Sequence, residues 1–133
     1  MANKTGIDWC NYTLNPIFGC ANNCDSGKWC YARKLAQRGL SGCLQCKAFE
    51  VHFHPERLAD PIFRRKKPAV VFLDSMSDFW SPGVEQSWRD ACIQAMGGAP
   101  QHQFVVLTKR PDRITQDDML WWPPNAWIGV SVT

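Results

Sequence analysis

The chain has 133 residues, 45% of them hydrophobic and 20% charged, with a formal net charge of +3. That balance is ordinary for one soluble globular domain with a modest core. No apolar run approaches the length of a membrane span, and so small a positive charge permits a nucleic-acid partner without arguing for one.

Residues 1–14 carry Ile7, Trp9, Tyr12 and Leu14 among polar neighbours and read as a strand feeding a loop. That loop holds Cys20, Cys24 and Cys30, spaced C-x3-C-x5-C. A helix is expected over 31–38, where Ala32, Leu35 and Ala36 share a face and Gly39 stands at the C-cap position. Residues 40–68 read as an irregular insertion, with Arg64-Arg65-Lys66-Lys67 as a solvated turn before a strand. The apolar run at 69–73, between Pro68 and Asp74, predicts a strand buried on both faces.

Ser81-Pro82-Gly83 predicts the start of a helix over 81–96, with Ser81 as N-cap and Pro82 at the first helical position. Val84, Trp88, Ala91, Cys92, Ala95 and Met96 form its apolar stripe, so Cys92 is expected as a small core residue, and Gly97-Gly98 ends the helix. A second buried strand is expected at 104–107, a short helix from Pro111 to about Leu120, and a last strand at 127–132. Alternation of this kind predicts an α/β fold, an open and mostly parallel sheet with right-handed helical crossovers. Its last strand should present an unpaired edge that favours association.

Seven cysteines, an odd number, with no apolar stretch behind Met1-Ala2-Asn3-Lys4, argue for a reducing, cytoplasmic setting rather than a disulfide framework. Clustered thiols then read as metal ligands or redox groups. Three cysteines are one short of a closed zinc site or an all-cysteine iron–sulfur site, and an open metal position is where chemistry occurs. Alternatively a zinc ion takes Cys20, Cys24 and Cys30 with a fourth ligand from Cys10, Cys43, Cys46, His52 or His54. A second set, Cys43-x2-Cys46 followed by His52-x-His54, also has zinc-ligand types, with the two cysteines foremost. A structural zinc there would pin the 40–68 insertion; otherwise the pair is reduced and the histidines cap the Pro55 turn. Ligands of parallel α/β folds sit at the carboxyl ends of the strands. Those ends should hold the cysteine loop, Asp74-Ser75-Met76-Ser77-Asp78, Thr108-Lys109-Arg110 and Ser131 with Thr133 on one rim.

Cysteines after a first strand, with Trp29 directly before Cys30, resemble the loop of radical S-adenosylmethionine enzymes. More closely, the chain resembles a radical-SAM-like family of phage and bacterial proteins of unknown function with a three-cysteine motif. The segments that carry the resemblance are Ile7-Asp8-Trp9, Asn15-Pro16, Gly19-Cys20, Cys30-Tyr31-Ala32-Arg33, His54-Pro55-Glu56-Arg57-Leu58, Ser75-Met76-Ser77-Asp78-Phe79, Leu107-Thr108-Lys109-Arg110-Pro111 and Trp127-Ile128-Gly129-Val130-Ser131. The usual spacing in those enzymes is C-x3-C-x2-C, whereas here Asp25-Ser26-Gly27-Lys28 lengthens the second gap.

The resemblance implies a partial (β/α) barrel, since related barrels continue past the strand ending at Thr133 and four strands cannot close one. It implies that Cys20, Cys24 and Cys30 hold three irons of a 4Fe–4S cluster. The fourth iron takes the amino and carboxylate groups of S-adenosylmethionine, whose one-electron cleavage releases a 5′-deoxyadenosyl radical. Trp29 would shield the cluster near the adenine, Ser75, Ser77 and Asp78 would meet the methionine amino group, and Lys109 or Arg110 would pair its carboxylate. Tyr31 and Ser131 complete the expected cofactor-facing set. The partners implied are an unidentified substrate, an electron-donor protein and a protein or second copy along the sheet edge. The alternatives are a zinc-stabilised, non-catalytic binding module and a truncated, inactive remnant.

Overall fold

The computed structural model describes residues 3–4, 10–20, 48 and 50–130, with only the backbone of Asn3 and Lys4. The expected helix over 31–38 lies outside them. Among the described residues the sheet runs β1 (Asn3–Lys4), β2 (Tyr12–Leu14), β5 (Val70–Leu73), β6 (Gln103–Thr108) and β7 (Ala126–Val130) in that spatial order. β2, β5, β6 and β7 are parallel, β1 is antiparallel to β2, and the sheet is open. A separate antiparallel pair joins β3 (Ile17–Phe18) to β4 (His52–Phe53).

The β-branched run at β5 forms the sheet's centre, with Val71 and Leu73 facing a core that also holds Phe104 and Val106 of β6. Helix α1 (Gln86–Gly97) buries Cys92, Ile93 and Met96 in the same cluster. Cys92 is a core residue as its place on the stripe predicted. β6 is not buried on both faces: Phe104, Val106 and Thr108 are buried, while Gln103, Val105 and Leu107 are half-buried. The strand's two faces alternate, and one is closed more tightly than the other.

Helix α1 begins at Gln86, with Glu85 as N-cap, four residues after the predicted cap. The Ser81 hydroxyl donates to the adjacent Pro82 carbonyl, and Gly83 has φ +95°, which breaks helical geometry before it can propagate. The helix expected from Pro111 is split into a 3-10 turn (Pro111–Arg113) and α2 (Gln116–Leu120). Thr115 restarts it: its hydroxyl accepts from Asp118 N while the Asp118 carboxylate accepts from Thr115 N.

Asp118 is also a long-range hub. It accepts from Trp80 Nε1 at 2.7 Å and Gln86 Nε2 at 2.6 Å, and it pairs with Arg89 at 3.2 Å. Burial pushes its carboxyl upward, but the bonds from Trp80, Gln86 and Thr115 and the Arg89 charge outweigh that and hold it below the usual value. The predicted irregular insertion is partly ordered: besides β4 it contains 3-10 turns at Pro55–Ala59 and Pro61–Arg64, each opened by proline. Phe53 stacks on Trp88 with centroids 5.6 Å apart, fixing this segment against α1. Arg64, Arg65, Lys66 and Lys67 are exposed, as expected of a solvated turn.

Candidate functional site

The carboxyl ends of β2, β5 and β6 meet on one rim, and side chains tie them together. Asn15, just past β2, accepts from Met76 N at 2.8 Å and from the Ser75 hydroxyl at 3.3 Å through Oδ1. Its carbonyl accepts from Arg57 Nη1 at 2.7 Å. The Asp78 carboxylate accepts from the Thr108 hydroxyl at 2.6 Å, Lys109 N at 2.9 Å and Trp80 N at 3.0 Å. These bonds clamp the β5 exit to the β6 exit.

Asp74 ends β5 with φ 62°, a left-handed conformation that aspartate tolerates better than most residues. It is 3% exposed, and its Oδ1 accepts from Ile17 N at 3.0 Å. Its Oδ2 has no hydrogen-bond partner among the described residues, and neither has Ser77 Oγ. Burial drives the Asp74 carboxyl well above the usual range; the Ile17 bond and the Arg57 charge pull against this, and Asp78 adds to it. The carboxyl under the rim is thus biased toward its neutral form.

The cysteine loop leaves from this rim. Gly19 N donates to the Met76 carbonyl at 3.0 Å, and Gly19 bridges Ser77 in parallel. Gly19 has φ +88°, and a Cβ there would stand 2.1 Å from the Glu50 carbonyl oxygen, so only glycine fits. Cys20 follows, half-buried and a thiol rather than a disulfide. Cys10 is a buried thiol, pushed above the usual range by desolvation, and it precedes β2 at the sheet's opposite end.

Of the sequence-predicted site residues, Ser75, Ser77, Asp78, Lys109 and Arg110 do gather at the β5 and β6 exits. Lys109 is exposed, and Arg110 Nε lies 3.8 Å from Asp112. Cys24, Trp29, Cys30, Tyr31, Cys43, Cys46 and Ser131 lie outside the described residues, so the predicted convergence of the three thiols does too. Among the described residues, no group of three or more His, Cys, Asp or Glu side chains is placed to hold a metal ion. Two surface depressions, one along 114–120 and one between α1 and Trp121, contain none of the rim residues. No helix among the described residues is long and apolar enough to cross a membrane.

A family model described as protein of unknown function (DUF5131) matches residues 4–133. The chain belongs to this family. The match covers the rim, the β3–β4 pair and every described strand except the first residue of β1. No curated protein and no solved structure matches the chain.

Sequence reasoning put Asp74 on the rim but gave neither it nor Asn15 a role in the site. An asparagine before a proline looks like turn punctuation, and the aspartate after an apolar run looks like a strand stop. Their roles come from partners about sixty residues away: Asn15 reaches Met76, and Asp74 reaches Ile17.

Proposed function

We propose that the chain is an iron–sulfur protein of the S-adenosylmethionine-cleaving kind, with Cys20, Cys24 and Cys30 as its three thiolate ligands. The observation that carries the reading is where the loop begins. Cys20 directly follows Gly19, whose backbone is bonded to the β5 exit, so the first thiol enters from the rim on which parallel α/β folds bind ligands. Thiolate is the ligand such clusters take, and three of them leave one iron open. Bound there, a 4Fe–4S cluster would pass one electron to S-adenosylmethionine and so supply a radical able to take hydrogen from a substrate.

The chain's own residues position and shield. Asp78 holds the β5 and β6 exits together, which sets Ser75, Ser77 and Lys109 on one rim. Ser77 Oγ is a hydroxyl suited to an amino-acid headgroup, and Lys109 carries the charge that would meet its carboxylate. The electron has to come from outside the chain, which implies a donor protein. The x5 gap between Cys24 and Cys30 is longer than the usual one, and it contains Gly27, a residue type that permits the tight turn a shared cluster would require.

The test is anaerobic reconstitution with iron and sulfide. The expected protein is brown and holds about four irons per chain, as the cluster type requires. Cys20→Ala should take up little iron, while Cys92→Ala, a change of a buried core residue, should keep it. A colourless chain that takes up zinc instead favours the non-catalytic binding module.

A further inference from the structure

A second cluster lies outside the rim, on the short β3–β4 pair. His52 and His54 are two residues apart on an extended stretch and so share a face. The backbone fixes both: His52 pairs with Phe18, and His54 N donates to the Pro16 carbonyl at 2.6 Å. Their outer nitrogens are each engaged. His52 Nδ1 is 2.6 Å from the Glu50 carbonyl oxygen, and His54 Nδ1 is 3.0 Å from Glu56 Oε1. A carbonyl and a carboxylate only accept, so both Nδ1 atoms must carry hydrogen.

That assignment decides what the inner nitrogens present. In a neutral ring with hydrogen on Nδ1, Nε2 bears a lone pair. The two Nε2 atoms are 2.8 Å apart. Two lone pairs at that distance repel unless a cation stands between them. A carbonyl on one ring and a carboxylate on the other is the outer arrangement that orients metal-binding histidines and raises their basicity.

We infer that His52 and His54 are a binding site for a divalent, imidazole-seeking transition-metal ion such as Zn²⁺, held by the two Nε2 atoms. With metal–nitrogen bonds of about 2.0–2.1 Å, nitrogens 2.8 Å apart subtend roughly 86° at the metal, a cis angle. Widening to a tetrahedral angle needs only about 0.5 Å more separation by the same bond lengths. His52 is buried beside the Phe18 ring, whereas the His54 side chain keeps 15% of its exposure, so the pair is held firmly yet reachable.

The test titrates Zn²⁺ into the whole chain while long-range ¹H–¹⁵N spectra follow its three imidazoles. The Nε2 resonances of His52 and His54 should move together. His102, whose ring nitrogens are taken by Ala69 N and the Ile62 carbonyl, should not move. His52→Ala/His54→Ala should lose this zinc. Glu56→Gln alters a 68%-exposed side chain, and it should weaken zinc about tenfold through His54. Unmoved His52 and His54 resonances in excess zinc, or an unchanged affinity in Glu56→Gln, overturns the site and leaves the pair sharing a proton. Iron uptake on the same samples reads the cysteine loop separately. Zinc at the pair without a cluster supports this site and overturns the proposed function, and the converse result overturns this site alone.

Discussion

Gly19→Ala tests how the cysteine loop is anchored. At φ +88° the new side chain meets two penalties. The left-handed backbone costs an L-residue about 1–2 kcal/mol. The new Cβ would also lie 2.1 Å from Glu50 O and 2.8 Å from Val51 N, both backbone atoms that cannot swing aside as a side chain would. Relieving such overlap costs about 1–3 kcal/mol more. The total of about 2–5 kcal/mol, divided by a urea slope of about 2 kcal/mol/M, lowers the unfolding midpoint by roughly 1–2.5 M. Gly83→Ala is the internal control, because Gly83 has φ +95° but its Cβ would come no closer than 3.6 Å to Val51. It carries the backbone penalty alone, and its midpoint should fall by less than about 1 M. Iron uptake should drop in Gly19→Ala and hold in Gly83→Ala. Equal midpoint shifts in the two variants would refute the close approach to Glu50.

Three further predictions concern the fold. Asp74 is raised in the folded state, so its contribution is complete below the unfolded pKa near ~3.9 and is lost as pH rises through the folded value. Asp74→Asn keeps the acceptor and tolerates positive φ, and its advantage over the parent should grow by at most about 1.4 kcal/mol per pH unit from pH ~4 up to the folded value and then level off; a difference constant with pH, measured by urea midpoints, contradicts this. Asp118→Asn leaves the Arg89 charge buried and unpaired, and a loss of about 3–5 kcal/mol is expected by calorimetry; a loss under ~1 kcal/mol means the hub is incidental. Trp127 and Val130 are exposed on β7, the sheet's edge among the described residues. Trp127→Lys should lower the mass seen by sedimentation at high concentration, and an unchanged mass counts against association through this edge.

Much of the sheet was legible in the sequence because apolar runs bounded by proline or aspartate carry a local signal. Val70–Leu73 and the run at 104–107 needed nothing else to read as parallel neighbours. Helix starts were less legible. Ser81-Pro82 looks like a cap and first turn, yet Gly83 adopts a positive φ and delays α1 to Gln86. β3 and β4 have two residues each, too few to show a period, and they are defined by pairing across more than thirty residues. The gathering of rim polar residues was foreseen from topology alone. What they hold was not: Asp78 clamps two strand exits, and Asp74 is a buried carboxyl, because both roles depend on partners distant in the chain. The histidine pair showed only as H-x-H, and its Glu50 and Glu56 partners are what turn that spacing into a donor set.

The claim that the loop from Cys20 supports radical chemistry is tested most directly by product formation. Anaerobically reconstituted chain, reduced chemically and supplied with S-adenosylmethionine, should form 5′-deoxyadenosine, and Cys20→Ala handled identically should form none above background. A reconstituted chain that holds its iron yet leaves S-adenosylmethionine intact, or a Cys20→Ala variant as active as the parent, contradicts the account.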